Sequence, residues 1–436
     1  MTSVSTFTHR SESAPQLTNH GRRLFLYVGM GVLALAIGSQ AGRLTDISAL
    51  GVGDFIAYWS AGRLNAQGQN PYSPEVLLPI ERAEGWAEDW PNIMYYPPWA
   101  LPLVMPFGLA PFNLARLAWL IAEIAVVAFC IDLIWRYYGR PSAQRWLAWG
   151  LGLGFVPTLI ALRMGQIGPF LLLGVVGFLI CQKRGFSWVA GACLVLAAIK
   201  PQLVYLFGLA VVVWAIDRRH WRVLAGGVSA LVAAVGVAAW CNPQVLEQYR
   251  FALSHPPSGN VTPTLGALLR LAFGHELVWL QFVPTFFGLL WFPVYYIRKR
   301  AHWNWEEQAP LLLLASFLTT SYGAWVFDLV VLLIPLLHAF ALIVRDGRTW
   351  LARSAVACFL VADAIALIQN LSGAAYVSFI WMTPAILAGY LLVRTCCVPR
   401  LCQPWREQGT HGPRDDNLDA ERADRKVAGE LSVPSA

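Results

Sequence analysis

Charge is what this chain has least of. Asp, Glu, Lys and Arg make up 13% of its 436 residues, against about a quarter in soluble domains. The sequence is instead 57% hydrophobic, with a mean hydropathy of +0.52, and its uncharged apolar stretches recur from end to end. That excludes an ordinary soluble domain and indicates an all-α polytopic membrane protein. Cysteine is also thinly spread. Of eight Cys, Cys130, Cys193 and Cys358 fall within apolar runs, and Cys396, Cys397 and Cys402 follow the last run. Only Cys241 sits clearly in an outward loop, where it has no partner, so a disulfide framework is excluded. No His, Cys, Asp or Glu spacing of a metal-binding kind occurs, and nothing calls for a cofactor. No internal repeat marks an inverted-repeat transporter. Residues 1–20 are polar and no small-residue cleavage site follows, so no cleavable signal peptide is expected.

The net charge of +7 is not a nucleic-acid signature, because the basic residues lie in short loops between apolar runs. Candidate spans are 24–42, 113–134, 146–162, 168–182, 187–199, 202–216, 223–240, 277–297, 309–320, 324–343, 351–369 and 377–394. Basic clusters fall at every second gap: Arg22 and Arg23; Arg136, Arg140 and Arg145; Lys183 and Arg184; Arg218, Arg219 and Arg222; Arg298 to Arg300; Arg345, Arg348 and Arg353; Arg394 and Arg400. The positive-inside rule then gives about twelve spans with both termini cytoplasmic. Residues 1–23 become a cytoplasmic tail, and 395–436 a disordered cytoplasmic tail of mixed charge, Gly and Pro. Two weaker apolar stretches stand outside this count. Residues 97–111 carry five Pro and read as a re-entrant or interfacial segment, and 264–274 is similar. The first extracytoplasmic loop is therefore 43–112. Its 43–96 portion has three Arg and seven Asp or Glu, the reverse of the cytoplasmic loops.

This orientation gathers Asp54, Tyr58, Tyr95, Tyr96, Arg163, Gln166, Lys200, His255, Ser321 and Tyr322 at or near the outer face. Asp54 lies in GVGDFIAYW (51–59), directly after the first apolar run. An acidic residue held against a membrane needs a partner or a task. Two readings stand for it: an N-cap for FIAYWSAGRL, or a general base that accepts a proton from a hydroxyl. Lys200 in AAIKPQ and Arg163 before MGQIGPF lie in outward turns, where positive-inside bias removes basic residues. They either snorkel to headgroups or stabilise a departing phosphate. Tyr95, Tyr96 and Trp99 suit sugar stacking or an interfacial belt. His255, in SHPPSGN, also reads as a plain loop histidine. Asp328, in SYGAWVFDLVVLL, falls within a span, where carboxylates face a cavity or a partner. Glu123 and Asp363 are intramembrane carboxylates without a surrounding motif and stay unassigned.

Five pieces, in order, resemble glycosyltransferase family 87 of the GT-C superfamily, whose members use polyprenyl-phosphate-hexose donors. They are GDFIAYWSAGRLNAQGQNPY (53–72), YYPPWALPLVMPFGLAP (95–111), GQIGPFLLLG (165–174), LAAIKPQ (196–202) and TTSYGAWVFDLVVLLIPLL (319–337). The likeness covers roughly 50 to 340 and beyond that is one of hydropathy only. It implies a GT-C transmembrane domain over 24–394, with the active site in the first extracytoplasmic loop. It further implies an inverting transfer of a hexose such as mannose from a polyprenyl-phosphate-sugar donor to a lipid or glycan acceptor, in the plasma (inner) membrane. Asp54 would be the general base. Arg163, Gln166 and Lys200 would hold the donor phosphate, and Tyr58 and Tyr95 would line the sugar pocket. Tyr96, His255, Tyr322 and Asp328 complete the expected substrate contacts. Two other readings stand beside this one. A GT-C relative moves an aminosugar, or a sugar onto lipid A or protein. A non-enzymatic lipid or oligosaccharide translocase would instead spread ionisable residues through the membrane, whereas here they cluster at one face.

Overall fold

The computed structural model describes residues 51–139, 144–254 and 261–401. Among them there are helices and short 3-10 turns and no strand, as expected where an apolar solvent leaves the backbone to satisfy itself. The helices are α1 Phe55–Ala66, α2 Pro74–Ala83, α3 Leu101–Gly108, α4 Phe112–Tyr137, α5 Arg145–Gly154, α6 Val156–Met164, α7 Gly168–Lys183, α8 Ser187–Ala197 and α9 Tyr205–Asp217. There follow α10 Trp221–Cys241, α11 Val245–Ser254, α12 Leu265–Phe273, α13 Val283–Lys299, α14 Trp305–Thr319, α15 Leu333–Asp346, α16 Thr349–Leu371 and α17 Met382–Leu401.

Six of these elements, with their flanking 3-10 turns, are long and apolar enough to cross a membrane: Phe112–Tyr137, Trp221–Cys241, Val278–His302, Val326–Asp346, Thr349–Leu371 and Tyr376–Cys397. The chain is an integral membrane protein. The expected span 24–42 lies outside the described residues. The expected span 146–162 is two helices, α5 and α6, bent by 58°. Pro157 explains the break, since it lacks the N–H that a continuous helix would use and its ring clashes with the carbonyl four residues back. Phe155 takes an extended conformation between the two, and α6 restarts with Pro157 in its first turn, where the missing N–H is harmless. The Pro-rich stretch 97–111 holds only α3 and a 3-10 turn. At about 1.5 Å per residue α3 is far shorter than a ~30 Å hydrocarbon core.

Burial ranks the long helices. In Val326–Asp346, 89% of the apolar window is buried, against 17% in Trp221–Cys241 and 22% in Thr349–Leu371. The first is the central post and the other two turn outward. Trp119 on α4 joins the elements that carry the site, with its ring 5.4 Å from Phe55 on α1, 5.0 Å from Phe107 on α3 and 4.9 Å from Phe170 on α7. α1 and α3 cross at Gly62 and Gly108, where an added Cβ would meet backbone at 2.7 Å and 2.3 Å. Small residues at such a crossing let two backbones touch.

Candidate active site

The short approach to α1 fixes Asp54. Gly53 has φ +54°, and a Cβ there would stand 2.7 Å from the Met164 carbonyl, so only Gly fits this left-handed, crowded position. Past it, the Asp54 N–H donates to that same carbonyl at 2.9 Å. Asp54 occupies the N-cap position of α1, yet its side chain makes no capping bond. The capping reading is therefore set aside: the carboxylate accepts instead from Asn92 Nδ2 at 3.2 Å and from Gln166 Nε2. Gln166 extends the chain of contacts, because its Oε1 accepts from the Tyr58 hydroxyl at 3.1 Å. Tyr58 is one turn beyond Asp54 on the same face of α1. Its hydroxyl lies 3.3 Å from that of Tyr96, and the Tyr96 ring lies 5.1 Å beneath Lys200 Nζ.

Lys200 follows α8 at the start of a 3-10 turn, 4% exposed. Nζ donates to Asp328 Oδ1 at 2.7 Å, and Asp328 Oδ2 accepts from the Trp325 N–H at 3.2 Å. Snorkelling is thereby ruled out for Lys200, whose ammonium points into the protein and is neutralised there. Arg163 differs. Its side chain is partly exposed and does not line the cavity that the other groups share. His255 lies outside the described residues.

That cavity has a volume of about 840 Å³, within the range of sites for small organic ligands. Asp54, Tyr58, Tyr95, Tyr96, Gln166, Lys200, Tyr322 and Asp328 all line it. So do Asn92, Gln202, Trp325, Phe327 and Tyr376, which sequence reasoning had not singled out. Trp325 and Phe327 stood within the quoted SYGAWVFD motif, so proximity to Asp328 was a usable signal. Asn92 opened the aromatic run NIMYYPP, but nothing local pointed it at Asp54.

Behind the lining, Glu81 on α2 is fully buried and accepts from the Asn92 N–H at 2.8 Å and from Ser60 Oγ at 3.1 Å. It anchors the main chain of the residue whose side chain reaches Asp54. Leu77, one turn earlier on the same face, is buried with it.

The electrostatics follow from this burial. Loss of solvent pushes the Asp54 carboxyl above its usual range, while Asn92, the Lys200 charge and Gln166 pull it back and Asp328 pushes it further up. Burial draws the Lys200 ammonium down, but Asp328 and Tyr96 outweigh it, leaving the group above an ordinary lysine and charged. Glu81 is pushed up to about 7, chiefly by burial, against its Asn92 and Ser60 contacts. The cavity thus holds a proton acceptor of raised affinity, a fixed cation and a wall of aromatic rings.

The profile of glycosyltransferase family 87 matches residues 95–368, a stretch that includes Tyr95, Tyr96, Gln166, Lys200 and Asp328 and begins after Asp54. A polyprenol-phosphate-mannose-dependent alpha-(1-2)-phosphatidylinositol pentamannoside mannosyltransferase of Mycolicibacterium smegmatis is 28% identical over 157 residues, which is 34% of this chain and 35% of that protein. The chain thus matches about a third of the length of this relative. No solved structure matches. Since the family match takes in well over half of the 436 residues, the chain belongs to glycosyltransferase family 87.

Proposed function

We propose that this protein is a membrane glycosyltransferase of GT-C architecture, with about twelve spans. It moves a hexose, mannose by analogy with the relative, from a polyprenyl-phosphate donor to a lipid or glycan acceptor at the extracytoplasmic face. The observation that carries the reading is the shared cavity of Asp54 and Lys200. In the reaction, the acceptor hydroxyl oxygen bonds to the anomeric carbon as the bond from that carbon to the phosphate oxygen breaks. The hydroxyl proton passes to the Asp54 carboxylate, and the electron pair leaves with the polyprenyl phosphate. Attack from the face opposite the leaving phosphate inverts the anomeric centre. Asp54 is suited to general base work because its raised proton affinity lies closer to ambient pH than that of a free carboxylate. Lys200 opposes the charge that grows on the phosphate. Tyr58, Tyr95, Tyr96 and Tyr322 offer faces for the sugar, with Gln166 and Asp328 holding the base and the cation in place.

The test is reconstitution. Purified chain, a polyprenyl-phosphate-mannose donor carrying a labelled sugar, and a mannosylated lipid acceptor should give labelled product of inverted anomeric configuration by NMR. Transfer with retention, or transfer from a nucleotide sugar alone, would overturn the reading.

A further inference from the structure

Glu123 and Asp363 are intramembrane carboxylates for which sequence reasoning found no task, and Arg116 is a fully buried arginine in a span. Arg116 and Asp363 contact the two ends of α6, and Glu123 stands beside Arg116. Arg116 is 1% exposed on α4. Its Nη2 donates to the carbonyls of Leu162 at 3.2 Å and Arg163 at 2.7 Å. Trp119, one turn along α4, donates Nε1 to the Gly165 carbonyl at 3.0 Å. The carbonyl between these, that of Met164, is the one that accepts from the Asp54 N–H. Helix C-termini leave such carbonyls without partners, and here each of the last ones is assigned. Gly165 has φ +69°, and a Cβ on it would meet Phe55 Cβ at 2.8 Å and Arg116 Cζ at 3.1 Å. The guanidinium also lies 5.7 Å from the centre of the Phe55 ring, directly after Asp54 in the chain. Glu123 Oε2, at 3.9 Å from Arg116 Nη1, supplies the counter-charge. At the other end of α6, the Asp363 carboxylate on α16 accepts from the Val156 N–H at 3.0 Å. A carboxylate at the N-terminus and a cation at the C-terminus both complement the helix dipole.

We infer that α6 is a clamp for the base of the proposed reaction: Arg116 and Trp119 hold its C-terminal turn and Asp363 its N-terminus, and that turn fixes Asp54. It does so twice, through the Met164 carbonyl on the Asp54 main chain and through Gln166 on the carboxylate. Arg116 and Trp119 are positioning residues that act through Met164 and Gln166. The inference rests on the reading of Asp54 as general base. A buried arginine kept only for stability would serve the fold equally well with the carboxylate aimed elsewhere, and this difference is measurable.

The experiment uses full-length protein in detergent or vesicles, with Trp119→Phe, the pair Arg116→Met with Glu123→Gln, and Arg116→Lys. The pair removes the guanidinium without stranding Glu123. The Trp119 variant deletes one hydrogen bond and leaves a smaller aromatic ring in its place. Rates are expressed per folded molecule from size-exclusion. Misplacing the base should lower kcat on the order of 10²-fold in the pair, with donor KM little changed, and Arg116→Lys should recover part of the loss. The acid limb of kcat should move to higher pH in the pair and in Trp119→Phe, as Gln166 loosens its hold on the carboxylate. The titratable groups that face Asp54 are Lys200, Asp328, Tyr58 and Tyr376, and none of them is altered. An unchanged kcat and limb in Trp119→Phe and in the pair would overturn the clamp, even if less protein folds. Full activity of Asp54→Asn would instead bring down the base assignment itself, so the two failures are distinct.

Discussion

Replacing Lys200 by Met takes the ammonium out of a pair that is 2.7 Å long, with Lys200 4% and Asp328 0% exposed. A charge buried to that degree is tolerable only with its partner, and removing one side costs about 3–5 kcal/mol, most of it for the stranded carboxylate. Asp328 would keep the Trp325 N–H at 3.2 Å as a hydrogen-bond donor, with no cation to balance its charge. The double variant Lys200→Met with Asp328→Leu removes both charges, and its stability should return to within about 1 kcal/mol of wild type, because apolar replacements of buried pairs are near neutral. The assay is thermal unfolding of the full chain in detergent, followed by intrinsic Trp fluorescence, on wild type, both single variants and the double variant. A large drop in each single variant and recovery in the double variant is expected. Activity should separate from stability, because the recovered double variant still lacks the cation proposed for the phosphate and should transfer no sugar. A Lys200→Met protein as stable as wild type would refute the buried-pair account, and an active double variant would refute the phosphate assignment.

Three further outcomes follow from the same geometry. The Asp54 carboxyl is held above its ordinary value of 3.8, and Asn92 is the first of the contacts that pull it down; Asn92→Ala should therefore move the acid limb of kcat/KM to higher pH, and a fall in the limb would contradict the contact. Glu81 has a folded value raised to about 7 from 4.5, so the folded state binds its proton more tightly than the unfolded state. The contribution of Glu81 to stability should be highest below about pH 4.5, decline toward about pH 7 and then level off, and Glu81→Gln should remove that decline when its unfolding midpoints are compared with wild type across a pH series. Gly53→Ala puts a methyl 2.7 Å from the Met164 carbonyl at φ +54°, so kcat should fall well below that of Gly51→Ala, where nothing lies within 4 Å.

Local sequence was informative where a residue's neighbours in the chain were also its neighbours in space. Asp54 and Tyr58 share one face of α1, and Trp325, Phe327 and Asp328 share one turn, so the motifs carrying them pointed toward the cavity. Lys200 was ambiguous because its partner Asp328 is 128 residues away, and no local pattern separates a snorkelling lysine from a paired one. Arg163 drew notice as a basic residue in an outward turn, yet the structure uses its carbonyl, held by Arg116, rather than its guanidinium in the cavity. Glu81 and Asn92 carried no local signal, because their burial depends on how α2 folds back over α1. The Arg116–Glu123 pair was legible in principle, since a spacing of seven puts both on one face of a helix. The break between α5 and α6 was likewise written in Pro157, which sits inside a run read as one span.

The central claim is that Asp54 takes the proton from the acceptor. The most direct measurement is single-turnover sugar transfer by folded Asp54→Asn protein with a polyprenyl-phosphate-mannose donor, alongside donor binding by the same protein. An amide of the same shape should leave binding near wild type and reduce transfer by at least about 10²-fold, the lower end of general base contributions. Transfer by Asp54→Asn at the wild-type rate would contradict the account.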